Sequence, residues 1–353
     1  MKPDNTYIML GFVPQPNLQN NLIGSLNMAE YTIREKFLAV MRDGDVSKGF
    51  PIIEWAGWWN LTYDNWIRQG APQNTDLRKW YELEEHHQIW FGPNRQSGLP
   101  VKDQSDYDRI RTALYPEPKF DPAGMENRRK RQESGDAFLW LTLEGPFWYP
   151  RTLMGIQNHL YAFYDQPDLM KQINEDLAEF NIKVIEEVNK YYIPDFMTFA
   201  EDMSYNHGPM ISYGMMDEFM EPFYNRVVPE LTKRGTIPMI DSDGDIEPLI
   251  SWFEKVGLQG ILPLERMAGV DVSRIRKNHP KWRMIGGFDK TVMHLGEKAL
   301  RQELERIKPA VLGGYYIPSC DHQTPPAVSI DDYKLYVRLL KEFSDEVSKL
   351  VKG

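Results

Sequence analysis

The 353-residue chain has a single cysteine, Cys320. One thiol excludes an intramolecular disulfide and any metal cage built from several cysteines. The chain also lacks an apolar window long enough to span a bilayer. Its first residues, Met1-Lys2-Pro3-Asp4, lack the apolar core of a secretion signal. A cytoplasmic location and no membrane partner are therefore expected. Positive charge is in deficit: 41 Lys and Arg face 51 Asp and Glu, a net charge of −10. A nucleic-acid surface carries the opposite sign, so no nucleic-acid partner is expected. The one basic run, Arg128-Arg129-Lys130-Arg131, lies among Glu126, Glu133 and Asp136 and reads as a solvated face.

What the chain does have is a recurring unit. Apolar residues make up 42% of it, enough for a large core. Short apolar runs alternate with helical patterns, the signature of parallel strands joined by crossover helices. Runs are expected at 50–53, 137–143, 196–200, 237–240, 258–264, 283–287 and 311–317, with 89–91 as an eighth. Amphipathic helices are expected at 27–43, stopped by Gly44, at 159–164 and 168–191, and at the C-terminus near 330–350. Residues 1–26 read as an extension and 92–135, rich in Pro, Asp and Arg, as an insertion or lid.

Carboxylates follow nearly every run. Glu54, Glu144, Glu201, Asp202, Asp241, Asp243 and Glu265 all stand just past a strand end. Asp alone would read as a helix cap, but Glu is a poor cap, so the recurrence of Glu needs another reason. Loops after parallel strands converge on one face, and chemistry collects there. Carboxylates gathered in one cavity raise each other's pKa unless a cation offsets them.

Several segments, in order and spacing, resemble the uroporphyrinogen decarboxylase superfamily. They are Glu144-Gly145-Pro146-Phe147, the stretches 200–212 and 219–235, the loop 240–245, the stretches 262–272 and 284–290, and the Pro325-Pro326 segment. The resemblance implies an α/β fold, a single-domain (β/α)8 TIM barrel over 27–353, with its site at the C-terminal mouth. It also implies one of two chemistries. The first is decarboxylation of the acetate arms of a tetrapyrrole without a cofactor. The second is methyl transfer to or from a corrinoid protein or a thiol by zinc enzymes. The decarboxylases carry an Arg-rich motif after their first strand. Here that place holds Glu54-Trp55-Ala56-Gly57-Trp58-Trp59, and an acidic, aromatic mouth repels a polycarboxylate. The methyltransferases carry His-x-Cys after one strand and Cys after the last. The matching positions are Asp241, Asp243 and Cys320, with His322 two residues on. A divalent metal is implied, zinc first, although two carboxylates with one His or Cys also suit manganese or iron. In an extended backbone Asp241 and Asp243 leave one face, as do Cys320 and His322. His322 is favoured over Cys320 as the third ligand.

The expected function is methyl transfer from a small methylated substrate, an aromatic ether or an amine, to a corrinoid protein. No corrinoid-binding domain is recognisable in the chain, so a partner must carry the corrinoid. Glu54, Trp55, Trp58, Trp59, Phe147 and Trp148 are the substrate-binding candidates; an aromatic wall also attracts cations. Glu144, Glu201, Asp202 and His207 are the acid–base candidates. Two other classes stay open: a decarboxylase or lyase holding a small acid with Arg151, Arg266 or Lys290, and a non-catalytic ligand-binding barrel. A homodimer is compatible with the sequence. Each residue also has a plain structural reading: packing for the indoles, capping for Asp243 and a small buried hydrophobe for Cys320.

Overall fold

The computed structural model describes residues 31–94 and 100–353. The expected extension 1–26 and the start of the expected helix 27–43 lie outside the described residues. The chain divides into units at Tyr31/Thr32, and the unit Thr32–Gly353 carries the elements that follow.

Seven strands form one parallel sheet. They are β1 (His86–Trp90), β2 (Phe138–Glu144), β3 (Phe196–Ala200), β6 (Ile237–Asp241), β7 (Gly260–Leu262), β8 (Arg283–Phe288) and β9 (Tyr316–Cys320), hydrogen-bonded in that order. A two-residue hairpin, β4 (Ser204–Tyr205) with β5 (Gly208–Pro209), interrupts the connection from β3 to β6. Sequential neighbours throughout, with a helix in each crossover, give a curled, barrel-like α/β sheet. Strands β2 and β3 are buried at every position, as expected of parallel strands covered on both faces. The long helix Pro167–Val188 shows why. It buries Ile173, Leu177, Phe180, Val184 and Val188 at helical spacing and leaves its other face polar. No helix among the described residues is long and apolar enough to cross a membrane.

The strand expected at 50–53 is not a strand. Pro51 has no N–H to give a ladder. The neighbouring N–H groups go to side chains instead: Phe50 N to Ser344 Oγ (2.9 Å) and Ile52 N to a Glu84 oxygen (2.7 Å). The segment nevertheless touches both edges of the sheet. Glu84 N, just before β1, donates to Ile52 O (2.8 Å), and Trp55 N donates to Ser319 Oγ in β9 (3.4 Å). The expected eighth run is real and longer than expected, as β1.

The last strand also lies further on than 311–317. The helix Glu297–Leu312 takes its first two residues. Gly314 then turns with φ +72°, and a Cβ there would lie 2.1 Å from Gly44 O. Only glycine admits that approach, so the strand begins beyond it and ends at Cys320. In the stretch expected as an insertion or lid, the described residues 100–135 hold two helices, Gln104–Leu114 and Pro122–Ser134, between β1 and β2 in the chain. Arg111 pairs bidentately with the buried Asp176, and Gln132 bonds the buried Asp195, so both helices are tied to what they cover. The helix expected at 27–43 starts from a Thr32–Glu35 capping box, runs Ile33–Leu38, and passes through a π turn into left-handed Gly44.

Candidate metal centre at the strand ends

Three loops leave the C-terminal ends of β6, β7 and β9, the first two strands adjacent and the third one strand further round, beyond β8. The first carries Asp243, the second Glu265 and the third His322. Their ligand atoms all lie within 4.8 Å of one another. Among the described residues it is the one such group of three or more His, Cys, Asp or Glu side chains. All three are half-buried. His322 Nε2 stands 3.6 Å from an Asp243 oxygen, and Gly244 N donates to Glu265 Oε2 (3.1 Å), tying the β6 loop to the β7 loop. The Asp243 carboxylate holds the His322 imidazole above its ordinary value, against the opposing effect of burial. Two carboxylate oxygens and one imidazole nitrogen converging from separate loops fit a divalent cation of the zinc, manganese or iron kind.

More carboxylates surround the trio. Burial, then the charge of Asp243, push Asp202 up to about 6. Its carboxylate accepts from Asp243 N at 3.4 Å, and its backbone is left-handed (φ +38°). Burial, then Asp202 and Asp243, hold Asp241 well above the usual carboxylate range. Lys290 Nζ lies 3.4 Å from Glu265 Oε1 and 3.7 Å from an oxygen of Asp321. Asp321 is fully buried and pushed up to about 6, chiefly by that burial.

The trio contains Asp243 and His322 from the expected ligand set, with Asp202 and Asp241 beside them. Asp241 and Cys320 fall outside it. The same-face expectation assumed that extended backbone continues to Asp243 and His322, but β6 ends at Asp241 and β9 at Cys320. Cys320 instead turns into the core, its Sγ 3.7 Å from Met293 Sδ, and burial raises its thiol pKa well above the ordinary value. Glu265 was visible in the sequence as one of the strand-end carboxylates but not as a ligand. Asp321 could have been noticed only as the neighbour of His322.

The acid–base candidates scatter. Glu201 is buried: Oε2 accepts from Phe147 N (2.8 Å) and Trp148 N (3.1 Å), and Oε1 from the Tyr224 hydroxyl. It anchors the start of the helix Trp148–Met154, and burial pushes it up to about 8. Glu144 is buried at the end of β2, its backbone carbonyl accepting from Asn181. His207 is exposed at the tip of the β4–β5 hairpin, its ring 5.8 Å from that of Tyr205.

The substrate-binding candidates divide too. Glu54 is buried between Ser319 Oγ (2.7 Å) and the Tyr333 hydroxyl (3.0 Å), and burial pushes it up to about 7. Trp58 packs edge-on against Trp66, Tyr81 and Tyr333, and Phe147 is core against His159. Trp59 is exposed, and the Trp148 ring is covered by Arg151 at 4.8 Å. Trp55 alone of the six stands at the trio. Its Nε1 donates to Cys320 O (2.7 Å), and its ring lies edge-on to His322 at 6.2 Å.

A family model for uroporphyrinogen decarboxylase (URO-D) matches residues 90–343. The chain belongs to the uroporphyrinogen decarboxylase family. No curated protein matches it. Among solved structures, it is similar to the putative vitamin-B12 independent methionine synthase from Listeria monocytogenes. The two share 11% identity over 85% of this chain and 98% of that one, with a TM-score of 0.45. The uroporphyrinogen decarboxylase family is one of enzymes and includes both decarboxylases and methyltransferase-like members. In this member the Arg78 guanidinium donates to Ala56 O (3.2 Å) and lies over the face of Trp58.

Proposed function

We propose that the chain is a metal-dependent methyltransferase, taking a methyl group from a small methylated donor and passing it to a corrinoid carried by a partner protein. The observation that supports this reading is the convergence of Asp243, Glu265 and His322 from three strand ends. Bound there, a divalent cation, zinc first, supplies a Lewis acid to the heteroatom that bears the methyl group. The chain's own residues do the rest. Asp243, Glu265 and His322 would hold the cation, and the Gly244 N–H keeps Glu265 turned toward Asp243. Trp55, fixed by Cys320 O, offers a flat apolar wall beside His322 for the body of the donor. Asp202 is the acid–base candidate that contacts the trio's backbone. A tetrapyrrole polycarboxylate is disfavoured, because carboxylates stand at the site and the arginine motif is replaced by Glu54–Trp59.

Two measurements on the full chain test the reading. Elemental analysis should find one divalent cation in wild type and in Cys320→Ser, and none in Asp243→Ala, Glu265→Ala or His322→Ala. Free cob(I)alamin, offered with a panel of methoxylated aromatics and methylamines, should gain a methyl group only with the metal-loaded proteins. A wild type that carries no metal yet demethylates a donor would sink the proposal.

A further inference from the structure

We propose that Asp321 is a positioning residue for the metal trio: it sets Glu265 against His322 and shares with Glu265 the ammonium of Lys290. The inference rests on the metal-dependent reading above. Asp321 is fully buried and does not belong to the trio. Its N–H donates to Phe288 O (2.8 Å), which carries the β8–β9 pairing one residue past the strand. One carboxylate oxygen accepts from Arg266 N (2.9 Å) and the other from Lys290 N (3.2 Å). A single side chain thus fastens the loops after β7 and β8 to the end of β9. The ligands flank these anchor points directly. Glu265 precedes Arg266, and His322 follows Asp321. The Gly244 N–H to Glu265 bond ties in the third loop, so the trio is held together from behind. Groups that orient metal ligands without touching the metal typically govern affinity in this way.

Lys290 gives the arrangement its second feature. Its ammonium is shared between Glu265 Oε1 (3.4 Å) and Asp321 (3.7 Å), with only 13% of the side chain exposed. A cation arriving at the trio has to share Glu265 with that ammonium. With the Asp321 carboxylate beside it, Lys290 keeps a second partner and can yield Glu265. With an amide in its place Lys290 keeps Glu265 as its one carboxylate partner, and it competes harder with the metal for the ligand.

A residue that merely fills the core would shift metal affinity only through stability. The geometry here demands opposite effects from two neighbours. Co²⁺ is the probe, because its visible absorption reports the ligand geometry and competition with a coloured chelator reports affinity. In the full chain, Asp321→Asn should bind Co²⁺ about 10- to 100-fold more weakly, with a changed absorption spectrum. Lys290→Met should bind it more tightly than wild type. Adding Lys290→Met to Asp321→Asn should recover part of the loss. Wild-type affinity and spectrum in Asp321→Asn, or no tightening in Lys290→Met, overturns the inference. If Asp321→Asn fails to fold by circular dichroism, Lys290→Met decides it alone. Wild type that binds no Co²⁺ overturns the metal reading together with this one, whereas wild type that binds it alongside unaltered variants overturns this one only.

Discussion

Replacing Glu201 by Gln should leave the protein about as stable as wild type at pH 5 and clearly more stable at pH 8. Glu201 is buried, and that burial raises its carboxyl from 4.5 to about 8. A group whose folded pKa lies above its unfolded value binds its proton more tightly in the folded state. The resulting stability is therefore fully present below pH 4.5 and is lost as pH rises toward 8. At about 1.4 kcal/mol per pH unit, the loss by pH 8 is on the order of 4 kcal/mol, against less than about 1 kcal/mol at pH 5. Gln copies the protonated acid. Its carbonyl accepts from Phe147 N and Trp148 N, and its amide can donate to the Tyr224 oxygen. Urea unfolding of both proteins at pH 5, 6.5 and 8, followed by tryptophan fluorescence, gives the difference directly and cancels every other titrating group. The three donors around Glu201 define the opposing case, since N–H and O–H donors favour the ionised form. If Glu201→Gln is less stable than wild type and the deficit grows with pH, the carboxylate is ionised and the reasoning fails.

Gly145→Ala should cost more than about 2 kcal/mol, because its Cβ would lie 2.3 Å from the Glu201 carboxyl carbon; a drop in Tm checks it, and Glu201→Ala in the same chain should relieve it. His159 is buried between Phe147 and Phe163 with neither ring nitrogen hydrogen-bonded, and burial depresses it to about 3. Its folded pKa lies below its unfolded value, so stability is lost as pH falls below 6.5. His159→Leu should gain about 2 kcal/mol on wild type between pH 7 and pH 5, read from urea midpoints. Trp55→Ala should raise the KM for the methyl donor at least about tenfold, since it removes the wall beside His322, while Trp59→Ala should leave it within about twofold.

Much of the architecture was legible because parallel strands buried on both faces write themselves as short apolar runs, and six of the seven lie where those runs do. The exceptions have local causes. The run at 50–53 reads as a strand by hydrophobicity, but Pro51 and the side-chain partners of Phe50 and Ile52 deny it a ladder. The run at 311–317 spans a helix end and a glycine turn, and hydrophobicity does not distinguish the two. Within the site, position past a strand end marked the right neighbourhood and not the right role. Glu201 and Asp202 are adjacent in the chain, yet one turns into the protein to hold a helix start and the other turns to Asp243. Cys320 and His322 divide in the same way, because the strand stops between them. A side chain at the last strand residue follows the pleat, and its direction is set by the sheet; one or two residues later it follows the turn. Asp243, Glu265 and His322 all lie beyond the pleat, so their convergence depends on what binds the loops together. Those bonds, from Gly244 N to Glu265 and from Arg266 N and Lys290 N to Asp321, join residues up to 55 positions apart. No local pattern encodes them, and for that reason the ligand set emerges from the folded chain and not from its motifs.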